Sequence, residues 1–136
     1  MLPAKIIKER EQKLLDIQDD VLKGGICVQD WTTFQLENAY ISYIAGASLA
    51  CVVMCQASIE SFIRDDEHLD NRSFYDLIEA SSYDETTKQK LHKLRSYRNS
   101  WAHVDNEKQI NYAELDEMAL FAYRLAMEIF HYYPFV

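Results

Sequence analysis

The position of the prolines is the feature that most restricts the fold of this chain. Only two occur in 136 residues, Pro3 and Pro134, and glycine occurs only three times. Because proline and glycine interrupt or end helices, their scarcity in a chain that is 49% hydrophobic favours long helices over hairpins or sandwiches. We therefore predict one all-α domain over residues 1–136, built as an antiparallel bundle of four main helices and a short extra helix.

Apolar periodicity and capping residues place the helices. A first helix spans 5–22 with Leu14 and Ile17 on its apolar stripe, and "CVQDWTT" after it reads as a loop. A long helix follows over 34–66. Ser73 with Asp76 three residues later predicts a short helix over 73–80, and Asp84 caps a helix over 85–102. The last helix covers 112–133.

An uncharged run over 38–58 is long enough to cross a bilayer. It contains several polar side chains and no basic cluster flanks it, so a helix buried in a bundle is the favoured interpretation, with no membrane partner. Its "AGAS" at 45–48 would let another helix approach closely. The charged N-terminus is unlike a signal peptide, and three cysteines, an odd number, suggest reduced thiols and a cytoplasmic protein.

The charge is unevenly distributed. The chain carries −8 overall, which argues against a general nucleic-acid binder. Residues 84–100 nevertheless carry +3, and the basic side chains Lys88, Lys90, Lys93 and Arg95 are candidates for binding RNA. A solvated helix face is the alternative interpretation of the same residues.

Arg98 lies on the same helical stripe as Leu91, Leu94 and Trp101. Arginine at a core-facing position is costly unless it is paired, and Glu60 is the candidate partner. The alternative is that Arg98 extends to the rim of the bundle.

His103 follows Arg98 by five residues. In a continuous helix that spacing turns the chain by roughly 140°, so the two side chains converge only where the helix ends or across a symmetric dimer. Asn99, four residues before His103, shares its face and is placed to hold one ring nitrogen.

The segment "RNSWAH" at 98–103 resembles the signature of the HEPN superfamily, Arg-polar-x-x-x-His, at Arg98, Asn99 and His103. The resemblance implies a metal-independent endoribonuclease without cofactor, acting as a toxin or in defence against phages or plasmids. It also implies a homodimer, with an antitoxin or defence protein as a possible partner. Family members whose histidine is followed by x-Tyr are controlled by tyrosine modification, and here "HVD" departs from that pattern.

The implied chemistry suits these residue types. The 2′-hydroxyl of RNA is the nucleophile, a histidine titrates near neutral pH, and an arginine binds phosphate. Cleavage yields a 2′,3′-cyclic phosphate and a 5′-hydroxyl. A catalytically silent helical dimer that regulates a partner protein is the alternative function.

A di-metal carboxylate site is a weaker alternative. It would use Glu128 with His131 and Asp65 with His68, and we expect no metal.

Overall fold

The computed structural model describes residues 1–23, 26–69, 72–102 and 109–131, and within these ranges the chain is helical apart from turns and short connections. These ranges contain six helices, which in chain order are α1 (Ala4–Val21), α2 (Asp30–Ile44), α3 (Ser48–Asp66), α4 (Phe74–Ala80), α5 (Glu85–Ala102) and α6 (Tyr112–His131). The described ranges contain no strand. The predicted all-α class is therefore confirmed. No helix found in these ranges combines the length and the apolar character needed to cross a membrane.

The predicted long helix over 34–66 is wrong, because the chain turns at Gly46. Gly46 has φ +92°, a backbone conformation that residues with side chains rarely adopt. The backbone N–H of Ala47 donates to the carbonyl of Ser42 at 2.8 Å, which closes the turn. The described chain thus has five long helices and one short one, where four long helices were predicted. "AGAS" makes this connection, and α2 and α3 pack directly against each other.

The start of α2 also differs from the prediction. The segment expected to be a loop contains Asp30, Trp31 and Thr32, and all three are helical. Thr32 is buried, with 1% of its surface exposed, whereas Trp31 is 61% exposed. A polar residue inside and an aromatic residue outside reverse the usual amphipathic pattern, which is why periodicity did not detect this first turn.

The predicted helix starts at Ser73 and Asp84 are confirmed. The Ser73 hydroxyl accepts a hydrogen bond from the backbone N–H of Asp76 at 3.1 Å. The Asp84 carboxylate accepts one from the backbone N–H of Thr87 at 2.8 Å. Each bond satisfies one of the N–H groups that a helix leaves without a partner in its first turn.

Contacts at both ends of α3 show that it runs parallel to α6. The hydroxyl of Ser48 donates to the carboxylate of Asp116 near the beginning of both helices. The rings of Phe62 and Phe130 pack with their centroids 5.2 Å apart near the end of both. At both contacts the residue of α6 has a number 68 higher than that of its partner on α3, so this offset gives the register of the two helices.

The long helices α1 and α5 are oriented by their contacts with α6. Gln18 of α1 donates to the hydroxyl of Tyr123 at 2.7 Å, and Arg10, earlier in α1, contacts the earlier part of α6. Helix α1 thus runs parallel to α6. Lys90 of α5 pairs with Glu128, whereas Lys93, later in α5, contacts Phe121, earlier in α6. Helix α5 therefore runs antiparallel to α6. The C-terminal end of α5 consequently lies at the end of the molecule where α1, α3 and α6 begin.

The core lies where these helices face one another. Its largest fully buried side chains include two tyrosines, a phenylalanine and a set of aliphatic residues: Tyr43, Tyr123, Phe130, Leu14, Ile59, Ile63, Leu77, Ile78, Leu91, Leu94, Leu125 and Met127. The thiols of Cys27, Cys51 and Cys55 are free.

Candidate functional site

The candidate site begins with the face of α5 that is turned to the core. Leu91 and Leu94 are completely buried on this face. Arg98 lies one turn beyond Leu94 and is half-buried, and Trp101 follows it, also half-buried. Leu91 and Leu94 pack the middle of α5 into the bundle, so Arg98 lies one turn beyond the last fully buried residue of this helix.

The expected pair between Glu60 and Arg98 is wrong. The carboxylate of Glu60 instead lies 2.8 Å from the guanidinium of Arg64, four residues later on α3. From the register of α3 and α6, Glu60 is level with Glu128, which pairs with Lys90. Lys90 precedes Arg98 by eight residues, or roughly 12 Å along α5. Glu60 and Arg98 therefore lie at different levels of the bundle.

Arg98 and Asn99 are the two described members of the predicted signature. Within the described part of the chain, neither side chain forms a hydrogen bond or an ion pair, and both side chains are half-buried. His103 lies outside the described residues, and so does its predicted contact with Asn99. The structure thus places Arg98 and Asn99 on successive positions of the last turns of α5.

Two of the basic residues predicted to bind RNA face α6. Lys90 forms an ion pair with Glu128 at 3.2 Å. The ammonium group of Lys93 lies 4.6 Å from the centre of the Phe121 ring. Both positive charges are therefore engaged on one flank of α5, which we call the α6 flank.

The other two basic residues face α4. The ammonium group of Lys88 donates to the carbonyl of Glu79 at 3.0 Å, and the guanidinium of Arg95 lies 5.1 Å from the centre of the Tyr75 ring. His92 is on this side as well, with Nε2 2.6 Å from the carboxylate of Glu79. This second flank, the α4 flank, is separate from the first, so the predicted basic helix does not present one continuous positive face.

Helix dipoles add positive potential at the end of the molecule where Arg98 lies. Helices α1, α3 and α6 begin there, and the beginning of an α-helix carries a partial positive charge of about half a unit. Leu2, just before α1, packs against the turn at Gly46 just before α3, which holds two of these helix starts together. Glu114 and Asp116 in the first turns of α6 offset part of the effect.

Arg10 forms a network of polar contacts that nothing in the sequence predicted. Arg10 donates to the carbonyl of Tyr43 at 2.6 Å and to the hydroxyl of Ser48 at 2.7 Å, and it pairs with Asp116 at 3.3 Å. Its guanidinium also lies 4.0 Å from the centre of the Tyr43 ring. Only 12% of the side chain is exposed. We call Arg10, Tyr43, Ser48 and Asp116 the Arg10 cluster; it joins α1, α2, α3 and α6.

The di-metal carboxylate site considered from the sequence would use Glu128. Glu128, one of its residues, is bound to Lys90. Among the described residues, no group of three or more histidine, cysteine, aspartate or glutamate side chains is placed to hold a metal ion.

Comparisons of the chain with protein-family models, with curated proteins and with solved structures found no match.

Proposed function

We propose that the protein is a metal-independent endoribonuclease of the HEPN type, with Arg98, Asn99 and His103 in its active site. One observation carries this proposal: Arg98 is half-buried on the core face of α5 and has no carboxylate partner among the described residues. A guanidinium removed from water without a counter-charge is unfavourable. A phosphate group of bound RNA would supply that charge through two parallel hydrogen bonds.

The proposed reaction uses the nucleophile that RNA itself carries. The 2′-oxygen attacks the adjacent phosphorus, the bond from phosphorus to the 5′-oxygen breaks, and a 2′,3′-cyclic phosphate and a 5′-hydroxyl result. His103 transfers the proton, either by taking it from the 2′-hydroxyl or by giving one to the leaving oxygen. Arg98 offsets the negative charge that grows on the phosphate oxygens. Asn99 orients the imidazole.

A homodimer completes this active site. The reaction needs one group to remove a proton and another to donate one, and the proposed site has one histidine per chain. Two copies that meet at their 98–103 segments would supply two histidines. We place the protein in the cytoplasm as a toxin or a defence component, controlled by an antitoxin or another partner protein.

The deciding experiment is cleavage of RNA in the presence of EDTA by the wild type, His103→Ala and Arg98→Met. We expect the wild type to cut and both variants to be inactive. Lys93→Gln is the control, because it also removes a positive charge from α5, on the α6 flank. A wild type that leaves RNA intact, or a His103→Ala variant that still cuts, would refute the proposal.

The alternative is a catalytically silent module that binds another protein. Two observations favour it: four of the five lysine and arginine side chains of α5, all except Arg98, have contacts within the chain, and α2 carries exposed apolar side chains. These are Trp31, Phe34 and Ile41, each more than half exposed. The cleavage assay separates the two functions, because a binding module leaves RNA intact.

A further inference from the structure

The α4 flank of α5 contains a side-chain arrangement that the proposed reaction does not use. It consists of Tyr75 on α4 and of His92, Arg95 and Asn99 on α5. The three residues of α5 are spaced by three and four positions, so they follow one another along a single face of the helix. A ligand lying along this face would reach the last turn of α5, where Arg98 also lies.

Arg95 is held in a defined orientation on this flank. Its guanidinium lies 5.1 Å from the centre of the Tyr75 ring, and its Nε donates to Nδ1 of His92 at 3.4 Å. Nε2 of His92 lies 2.6 Å from the carboxylate of Glu79. A proton on Nε2, donated to Glu79, leaves Nδ1 free to accept from Arg95, so the two bonds are compatible in a single tautomer of neutral His92. The two terminal nitrogens of Arg95 remain for a ligand.

Tyr75 provides an aromatic surface next to this guanidinium. The neighbouring Phe74 is buried and anchors α4 to the core, whereas Tyr75 is 49% exposed. His92 contacts the same ring, with the ring centroids 4.9 Å apart. Two contacts from α5 thus fix the tyrosine ring while about half of its side chain stays in solvent.

We propose that the α4 flank binds single-stranded RNA, with a phosphate on Arg95 and an unpaired base on Tyr75. An oriented guanidinium beside an exposed aromatic ring matches the two repeating parts of a single strand, its phosphates and its bases. Asn99 lies one turn beyond Arg95, roughly 6 Å further along α5. A strand bound at Arg95 therefore continues towards Arg98. This inference rests on the proposed ribonuclease function and names the path by which its substrate arrives.

The two flanks of α5 provide a matched test. The probe is a fluorescent single-stranded oligoribonucleotide in which every 2′-hydroxyl is methylated, so that the nucleophile is blocked and binding is measured alone. Arg95→Gln and Lys93→Gln each remove one positive charge from α5, on the α4 flank and the α6 flank respectively. Anisotropy titrations over a salt series give the dissociation constant and its salt dependence for each protein.

We expect Arg95→Gln to weaken binding about tenfold, as for the loss of one charge-assisted hydrogen bond, and to lower the salt slope by about one. Tyr75→Leu should weaken binding by a similar factor with the salt slope unchanged, because stacking carries no charge. Lys93, although a candidate from the sequence, lies against the Phe121 ring on the α6 flank and away from this path, so Lys93→Gln should stay within about twofold of the wild type. Thermal unfolding by circular dichroism verifies that each variant is folded.

Equal losses in Arg95→Gln and Lys93→Gln would overturn the inference, because general attraction to a cation would then explain the binding. So would a wild type that does not bind the probe. Cleavage of unmodified RNA distinguishes this failure from failure of the proposed function. If the wild type cuts RNA and Arg95→Gln binds normally, only the path is wrong. If the probe binds as expected and RNA stays intact, the path stands and the ribonuclease does not.

Discussion

Arg10 and Arg98 both lie on helix faces turned towards the bundle, but their surroundings differ. Arg10 has an acceptor for each part of its guanidinium: a carbonyl, a hydroxyl, a carboxylate and an aromatic face. Arg98 has no such acceptor among the described residues. A saturated arginine holds helices together, whereas an arginine with unused donors is available to a ligand. Arg10 is therefore a structural residue, and Arg98 is a candidate catalytic residue.

The largest expected effect comes from removing the saturated arginine. Arg10→Met should lower the free energy of unfolding by about 2–3 kcal/mol, because Asp116 and the carbonyl of Tyr43 lose a charged donor; half-exposure of Asp116 keeps the cost below that of a fully buried pair. Urea denaturation measures it, with the exposed Lys8→Met as control. RNA cleavage per folded molecule should be unchanged. A loss below about 0.5 kcal/mol would mean that the Arg10 cluster does not stabilise the fold.

Arg98→Met is expected to show the opposite pattern. The methionine keeps most of the apolar stem, so the free energy of unfolding should change by less than about 1 kcal/mol, while RNA cleavage is lost. Denaturation and cleavage are measured on the same preparation. A variant that unfolds several kcal/mol more easily would show that Arg98 is a structural residue like Arg10.

Glu60→Gln should have a smaller effect still. Glu60 forms a partly exposed pair with Arg64 within α3, and such pairs contribute about 0.3–0.5 kcal/mol. Because Glu60 and Arg98 lie at different levels, the effects of Glu60→Gln and Arg98→Met on unfolding should add in the double variant. A coupling above about 1 kcal/mol would restore the direct pair expected from the sequence.

A further effect, confined to alkaline pH, concerns Tyr40, next to the Arg10 cluster. Tyr40 donates to the carboxylate of Glu11, and burial together with this negative neighbour raises the pKa of Tyr40 to about 12. The tyrosine of the unfolded chain ionises near pH 10, so its contribution to stability is complete below that pH and is lost between about pH 10 and 12. In Tyr40→Phe the stability should fall less steeply over that interval. Identical alkaline profiles would contradict the assigned pKa.

Local features of the sequence predicted part of this structure. Ser73 and Asp84 marked helix starts correctly because capping depends on residues three positions apart. The turn at Gly46 was missed, since a small apolar segment continues a helical pattern as well as it ends one. Periodicity placed Arg98 on the core face of its helix. It does not show which residues of a neighbouring helix lie beside Arg98, and the predicted partner Glu60 was therefore wrong.

The Arg10 cluster could not be predicted for a related reason. Arg10 is one of several charged residues in α1, so its residue type does not distinguish it from its neighbours. Its partner Asp116 is 106 residues away in the sequence. Neither residue type nor spacing indicates such a pair. Only the parallel alignment of α1 and α6 brings the two together, and that alignment depends on the packing of the whole bundle.

The parallel pairing of α1 with α6 also has a consequence for biosynthesis. Arg10 with Asp116 and Gln18 with Tyr123 link segments more than 100 residues apart. On the ribosome α1 emerges before α6 has been made, so the apolar sides of α1 and α3 stay uncovered through most of translation. Contacts of such long range also slow folding, because a large loop must close before they form. The apolar surface that α6 will cover is therefore exposed to aggregation until α6 emerges.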